Sequence, residues 1–129
     1  MMLVKTRLGL SAIHGIGLFA DQDIPKGTPV WEFTEGFDQK IPTDQIDNVP
    51  GPARDDFLTY SYTSIKNGRY YILCCDNARF FNHSDNPNVI DVPSNTDEED
   101  IDIAGRDIQR GEELTCDYRA FEAAKRVFM

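Results

Sequence analysis

Glycine, proline and asparagine interrupt this chain at short intervals, and that punctuation constrains its fold more than any other feature. A chain cut so often favours many short strands over long helices. Residues 2–8 read as a first strand, and residues 15–20 lead into a second. The Pro25-Lys26-Gly27 step is a turn. Residues 30–33 alternate Val30 and Glu32 against Trp31 and Phe33, which is a strand pattern. Residues 41–52, rich in Pro and Asp, read as a loop with one short helical turn after Thr43. Residues 55–62 read as helix passing into strand. Asn67-Gly68 is a hairpin turn, and residues 70–74 are its return strand. Residues 89–92 and 101–104 flank an acidic tip at residues 97–100, read as a solvated hairpin loop that weakly attracts basic peptide. Arg110-Gly111 is a further turn, residues 113–118 a last strand, and residues 120–127 a short C-terminal helix. The sum is a mainly β domain. Without regular βαβ alternation, it is not a doubly wound sheet.

The 129 residues suit one domain with one core. With 40% hydrophobic residues the chain is too apolar to be disordered. Its 13 Lys and Arg against 22 Asp and Glu give a net charge of −9. That balance opposes binding of nucleic acid through phosphate neutralisation and favours a basic partner. No apolar run reaches the roughly 20 residues of a membrane span. Lys5 and Arg7 precede an apolar stretch, but His14, Gly15 and Gly17 break it, so residues 8–20 are not read as a signal peptide. Three cysteines, Cys74, Cys75 and Cys116, make a poor disulfide framework and point to a reducing, intracellular setting, cytoplasmic or nuclear. No C-x-x-C pair is present, so no structural zinc is expected.

Three segments carry candidate chemistry. Gly15-Ile16-Gly17 is either a tight turn or bare backbone that a ligand can approach; a dinucleotide fold would need a third glycine and a helix. Residues 79–88, Arg-Phe-Phe-Asn-His-Ser-Asp-Asn-Pro-Asn, combine aromatic and polar side chains. Their plain reading is an Asx-rich turn. His83, Ser84 and Asp85 hold the residue types of a hydrolase triad, but sequence neighbours seldom reach triad geometry. His14, His83 and Cys116 are metal-ligand types without supporting spacing. Residues 112–118 follow a glycine turn, with Glu112 and Glu113 read as exposed strand-edge charge and Tyr118 as a core aromatic.

In this order and spacing the three segments resemble the SET domain of protein lysine methyltransferases. The opening is Gly15-Ile16-Gly17-Leu18-Phe19-Ala20 with Ile24-Pro25-Lys26-Gly27. The Asn-His-Ser motif is Asn82-His83-Ser84, and the closing motif runs from Gly111 to Tyr118. The resemblance covers nearly the whole chain, taken as a single domain over residues 1–129 with a core over 1–118 and a helical segment over 119–129. It implies small curled β-sheets, short helices, and a pseudoknot in which the Asn-His-Ser and closing segments cross. It also implies S-adenosylmethionine as methyl donor, meeting the target lysine in a narrow channel. By that likeness Ile16, Gly17, Arg79, Asn82, His83 and Tyr118 contact the donor. Phe121 is a candidate to pack on its adenine. Tyr60, in Tyr60-Ser61-Tyr62, matches the strand aromatic that lines the lysine channel, with Tyr62 and Cys116 beside it. Tyr118 and Tyr60 are the candidate catalytic residues.

The implied reaction is displacement of a sulfonium methyl by a neutral amine, for which positioning and electrostatics do most of the work. A desolvated aromatic channel lowers the lysine pKa from its usual value of about 10.4. Proton loss to water then suffices, without a strong base. Two departures from the family stand out. Cys116 takes a position where many relatives carry Phe or Tyr, which predicts room for di- or trimethylation. The cysteine-rich zinc segment that follows the closing motif in many relatives is not matched, so no metal is implied, and residues 119–129 or a second subunit must cover that face. A histone-like tail is the expected substrate and a homodimer a candidate assembly. The rival reading is a catalytically silent SET-fold module that binds donor or peptide.

Overall fold

The computed structural model describes residues 1–64, 68–93 and 99–120. Four small sheets hold the described chain together. Strands β1 (Thr6–Leu10) and β2 (Ile16–Ala20) form an antiparallel hairpin in which Leu10 faces Ile16 and Gly9 faces Gly17. Strand β3 (Pro29–Trp31) lies against β9 (Ile101–Ala104), which pairs on its other side with β8 (Val89–Val92). Strands β4 (Gln39–Pro42), β6 (Tyr70–Leu73) and β5 (Tyr62–Thr63) form a third sheet with β6 in the centre. The fourth is a parallel pair of two residues each, β7 (Asn82–His83) and β10 (Thr115–Cys116).

The first strand begins later than residues 2–8 suggest. Met2 instead forms an isolated bridge with Trp31, and the Leu3 N–H donates to Val30 O at 2.7 Å. The stretch read as loop opens on the last two residues of β4, and the helical turn expected after Thr43 is there as a 3-10 helix at Thr43–Asn48. Helix α1 (Gly51–Tyr60) starts four residues before the predicted helix, because Pro52 sits in its first turn, where the missing N–H costs no hydrogen bond. Only Phe57 of α1 is buried, edge-on to Tyr71 with ring centroids 6.4 Å apart. The last strand shrinks from residues 113–118 to the two-residue β10. Its neighbours serve β2 instead: Glu113 bridges Phe19, and the Leu114 N–H donates to Leu18 O at 2.7 Å. The expected helix over residues 120–127 lies outside the described residues, apart from a 3-10 turn at Tyr118–Ala120.

Leu18, Ile24, Val30, Val89, Ile108 and Leu114 are almost fully buried and form the centre of the core. The core therefore joins β2, β3, β8 and the stretch that carries Ile108 and Leu114. Burial of each such side chain stabilises the fold by roughly 1.5–3 kcal/mol. Among the described residues no helix is long and apolar enough to cross a membrane.

Candidate active site

The short pair β7–β10 brings together residues more than thirty positions apart, Asn82 opposite Thr115 and His83 opposite Cys116. Parallel pairs of this length are weak by themselves, and side chains reinforce the crossing. The Ser84 N–H donates to Cys116 O at 3.0 Å. Asn88, only 3% exposed, accepts from the Thr115 N–H at 2.9 Å and donates to Glu113 O at 2.8 Å. The crossing of the two motifs is thus present, and Asn88 clamps it.

Asn82 reaches the other way, toward the turn of the β1–β2 hairpin. Its Nδ2 lies 3.0 Å from His14 O, 3.4 Å from Ile16 O and 2.9 Å from Glu113 Oε2. Both Glu113 oxygens accept from Ser11 Oγ at 2.8 Å. Glu113 is therefore no exposed strand-edge charge but the hub of a polar network. Glu112 accepts from the Gln109 N–H and from Arg106, and the backbone bond first and the guanidinium second hold its carboxyl below the usual range. The two glycines of the motif have separate causes. Gly15 has φ 45°, a left-handed conformation that favours glycine. At Gly17 a Cβ would stand 2.5 Å from Glu113 Oε2. Around Gly15 a Cβ would meet nothing within 4 Å, and Ile16 is 44% exposed. This open backbone, tied down by the Asn82 amide, fits the close approach of a donor.

His83 and Tyr118 meet at the crossing. The Tyr118 N–H donates to His83 Nδ1 at 3.1 Å, and the rings lie edge to face with centroids 5.5 Å apart. Since Nδ1 accepts, Nε2 carries the proton and donates to Asp85 Oδ1 at 2.9 Å. The Tyr118 hydroxyl donates to Phe81 O. Arg119 spans Asp117 and Asp85 at 2.9 and 3.1 Å and, through its side-chain hydrogen bond, keeps the Asp117 carboxyl below its usual range.

An open cleft lies beside the crossing. Tyr118, Cys116, Tyr62 and Tyr60 all line it, so the residues expected in the lysine channel share one space. Tyr60 reaches it from the last position of α1, whereas β5 begins only at Tyr62. Arg79, expected at the donor, also lines this cleft, with its guanidinium 6.0 Å from the Tyr60 ring centroid and 5.9 Å from that of Phe80. Phe121 lies outside the described residues. Burial first, then Asp102 and Asp91, pushes the Cys116 thiol pKa well up. Burial and the neighbouring Cys74, Glu99 and Asp102 do the same for the Tyr62 phenol.

The acidic lining is what the sequence reading missed. Asp91, Glu99, Asp100 and Asp102 all border the cleft. Residues 94–98 are outside the described residues, but Glu99 is not a solvated loop charge. It is 6% exposed and accepts from Ser64 Oγ at 2.7 Å and from the Tyr62 hydroxyl at 3.2 Å. Trp31 also lines the cleft, and no motif pointed to it.

The SET domain sequence pattern matches residues 15–119. The chain belongs to the SET-domain family. Relatives of this SET domain include histone-lysine N-methyltransferase ATX2 of Arabidopsis thaliana, 32% identical over 95% of the chain, and the human histone-lysine N-methyltransferase 2D, 33% identical over 87% of it. The chain spans only 12% and 2% of the lengths of those two proteins. Its fold resembles part of the Chaetomium thermophilum Polycomb Repressive Complex 2 in an inhibitor-bound, humanised form, with a TM-score of 0.66 and 27% identity over 92% of this SET chain and 15% of the other. A structure of that complex bound to S-adenosylmethionine also gives 0.66, at 25% identity over 92% and 16% of the two chains. The small sheets and the crossing expected from the resemblance are those of this family.

Proposed function

We propose that this SET domain, taken as one unit over residues 1–129, transfers the methyl group of S-adenosylmethionine to a lysine of a basic, histone-like protein. The observation that carries the proposal is the meeting of Tyr118, Cys116, Tyr62 and Tyr60 on one cleft, directly beside the β7–β10 crossing. When bound, the donor supplies a methyl group already activated on a cationic sulfur.

The chain's own residues then have to bind, orient and desolvate. Asn82 holds the hairpin turn at His14 and Ile16, whose backbone, with His83, is the proposed donor contact. The aromatic walls strip water from the entering lysine and favour its neutral form. Tyr118 is fixed at the crossing by His83 Nδ1 and by Phe81 O, so its ring sits in a defined place beside the amine. Cys116, 3% exposed, leaves more volume than a phenol would and favours addition of more than one methyl group.

Isotope-labelled donor incubated with mixed histones tests the proposal. Label on histone lysines supports it. Donor binding by calorimetry with no label on any protein would instead favour a silent binding module.

A further inference from the structure

Trp31, Asp102 and Asp91 form one cross-strand row in the β3–β9–β8 sheet, Trp31 opposite Asp102 and Asp102 opposite Asp91. All three line the cleft that Cys116 and Tyr118 also border. Like charges directly opposite on neighbouring strands repel. Burial pushes the pKa of both carboxyl groups up, and Asp91 adds to the rise at Asp102, so one proton held by the pair relieves the repulsion. The row is also short of partners. Trp31 is 5% exposed, yet among the described residues its Nε1 has no hydrogen-bond acceptor and Asp91 Oδ2 no donor. Unsatisfied buried polar atoms are costly and call for a ligand or a role.

We propose that the Asp91–Asp102 pair takes the proton from the ammonium group of the target lysine and leaves the neutral amine that accepts the methyl group. The inference rests on the methyltransferase reading above. The pair begins with one proton shared between two carboxylates and a charge of minus one. An N–H bond of the ammonium breaks and its electron pair stays on nitrogen. An O–H bond forms on the ionised carboxylate, and both carboxyls end neutral. The pair returns the added proton to solvent after the product leaves.

The surroundings favour that direction. Burial first, with Asp100, pushes the Asp91 pKa up against the opposing effect of the Asp102 carboxyl, and burial with Asp91 pushes that of Asp102 up, so each member of the pair holds a proton more readily than a free carboxyl. Tyr62 of β5, Cys74 after β6, and Cys116 and Asp117 at β10 also face it, and none supplies a positive charge. Glu99 is engaged by Ser64 and Tyr62. Among the described residues two cations stand near. The Arg79 guanidinium lies over the Tyr60 and Phe80 rings, and the N-terminal ammonium is held by Asp38 at 2.8 Å. Neither takes the place of the lysine. In a cleft of low polarity, an ammonium beside a carboxylate is less favoured than an amine beside a carboxyl.

The test is the single-turnover rate of methyl transfer from labelled donor to mixed histones, followed from about pH 6 to about pH 10, across which a free lysine with a pKa of about 10.4 gains its neutral form. The wild-type rate should be flat through neutrality. Asp91→Asn and Asp102→Asn should each be about a hundredfold slower near neutral pH, a typical loss for proton-transfer groups. Both should regain about tenfold per pH unit, as solvent replaces the pair. A structural defect would not be repaired by alkali. A wild-type rate that itself climbs tenfold per unit, or variants with unchanged profiles, overturns the role of the pair and leaves methyl transfer standing. No transfer by the wild type at any pH overturns both.

Discussion

The Tyr118 N–H donates to Nδ1 of His83 at 3.1 Å, which joins the closing segment to the Asn-His-Ser segment at the residue expected to meet the transferred methyl group. The bond fixes the histidine tautomer and, through it, the contact to Asp85. His83→Ala removes both. It should cost about 1–2 kcal/mol in stability, the usual range for a lost hydrogen bond plus packing, and slow transfer more than it weakens donor binding. Urea unfolding and donor calorimetry, run beside the transfer assay, separate these effects.

Gly17 and Glu113 are bound by space. A Cβ on residue 17 would lie 2.5 Å from Glu113 Oε2. Gly17→Ala should destabilise by about 1–3 kcal/mol, in the range of overpacked sites. Combined with Glu113→Ala it should cost clearly less than the sum of the two single changes, because both act on one contact. A chemical-denaturation cycle measures the coupling, and additive costs would show that the contact is not what demands glycine.

On the proposed reading, Cys116 sets the volume at the end of the lysine channel. Cys116→Tyr should shift the products of a prolonged reaction from di- and trimethyl-lysine toward monomethyl-lysine. Mass spectrometry of a single substrate lysine reads the distribution, and an unchanged one would show that another side chain limits the space.

The Asp102 carboxyl has its pKa raised well above 3.8, chiefly by burial and then by Asp91. The folded state therefore binds more protons than the unfolded chain at pH values above the usual carboxylate range, and stability falls as pH rises through that window. Asp102→Asn removes this loss. Its melting temperature should gain on the wild type as pH rises above the usual carboxylate range, where the unfolded chain has lost the proton that the folded state still holds. Thermal melts at several pH values check the sign.

The motifs were legible in the sequence because each is local. Gly15-Ile16-Gly17, Asn82-His83-Ser84 and the run ending at Tyr118 can be read in order, and their order implied the crossing that pairs Asn82 with Thr115. The turns at Pro25–Gly27 and Arg110–Gly111 were legible for the same reason. Positive φ at Gly27 and Gly111 shows the backbone demand behind them. What escaped depends on pairing between distant strands. An aspartate set among isoleucines and valines reads as the solvent face of a strand, and nothing in residues 89–92 or 101–104 says that Asp91 and Asp102 meet on one face at the cleft. Glu99 was hidden by its acidic neighbours, because a charge run looks solvated until Ser64 and Tyr62 are known to reach it. Asn88 looked like one more turn residue, and its clamp on Thr115 needs the fold to be seen.

The most direct measurement compares wild type and Tyr118→Phe in transfer of labelled methyl from S-adenosylmethionine to histone lysines, with donor affinity measured on the same samples. Strong label by the wild type is expected, with a drop of about a hundredfold in the variant, of the size seen when one positioned hydrogen-bonding group is lost from an active site, at near-equal donor affinity. Equal label from both proteins, or none from the wild type, would contradict the account.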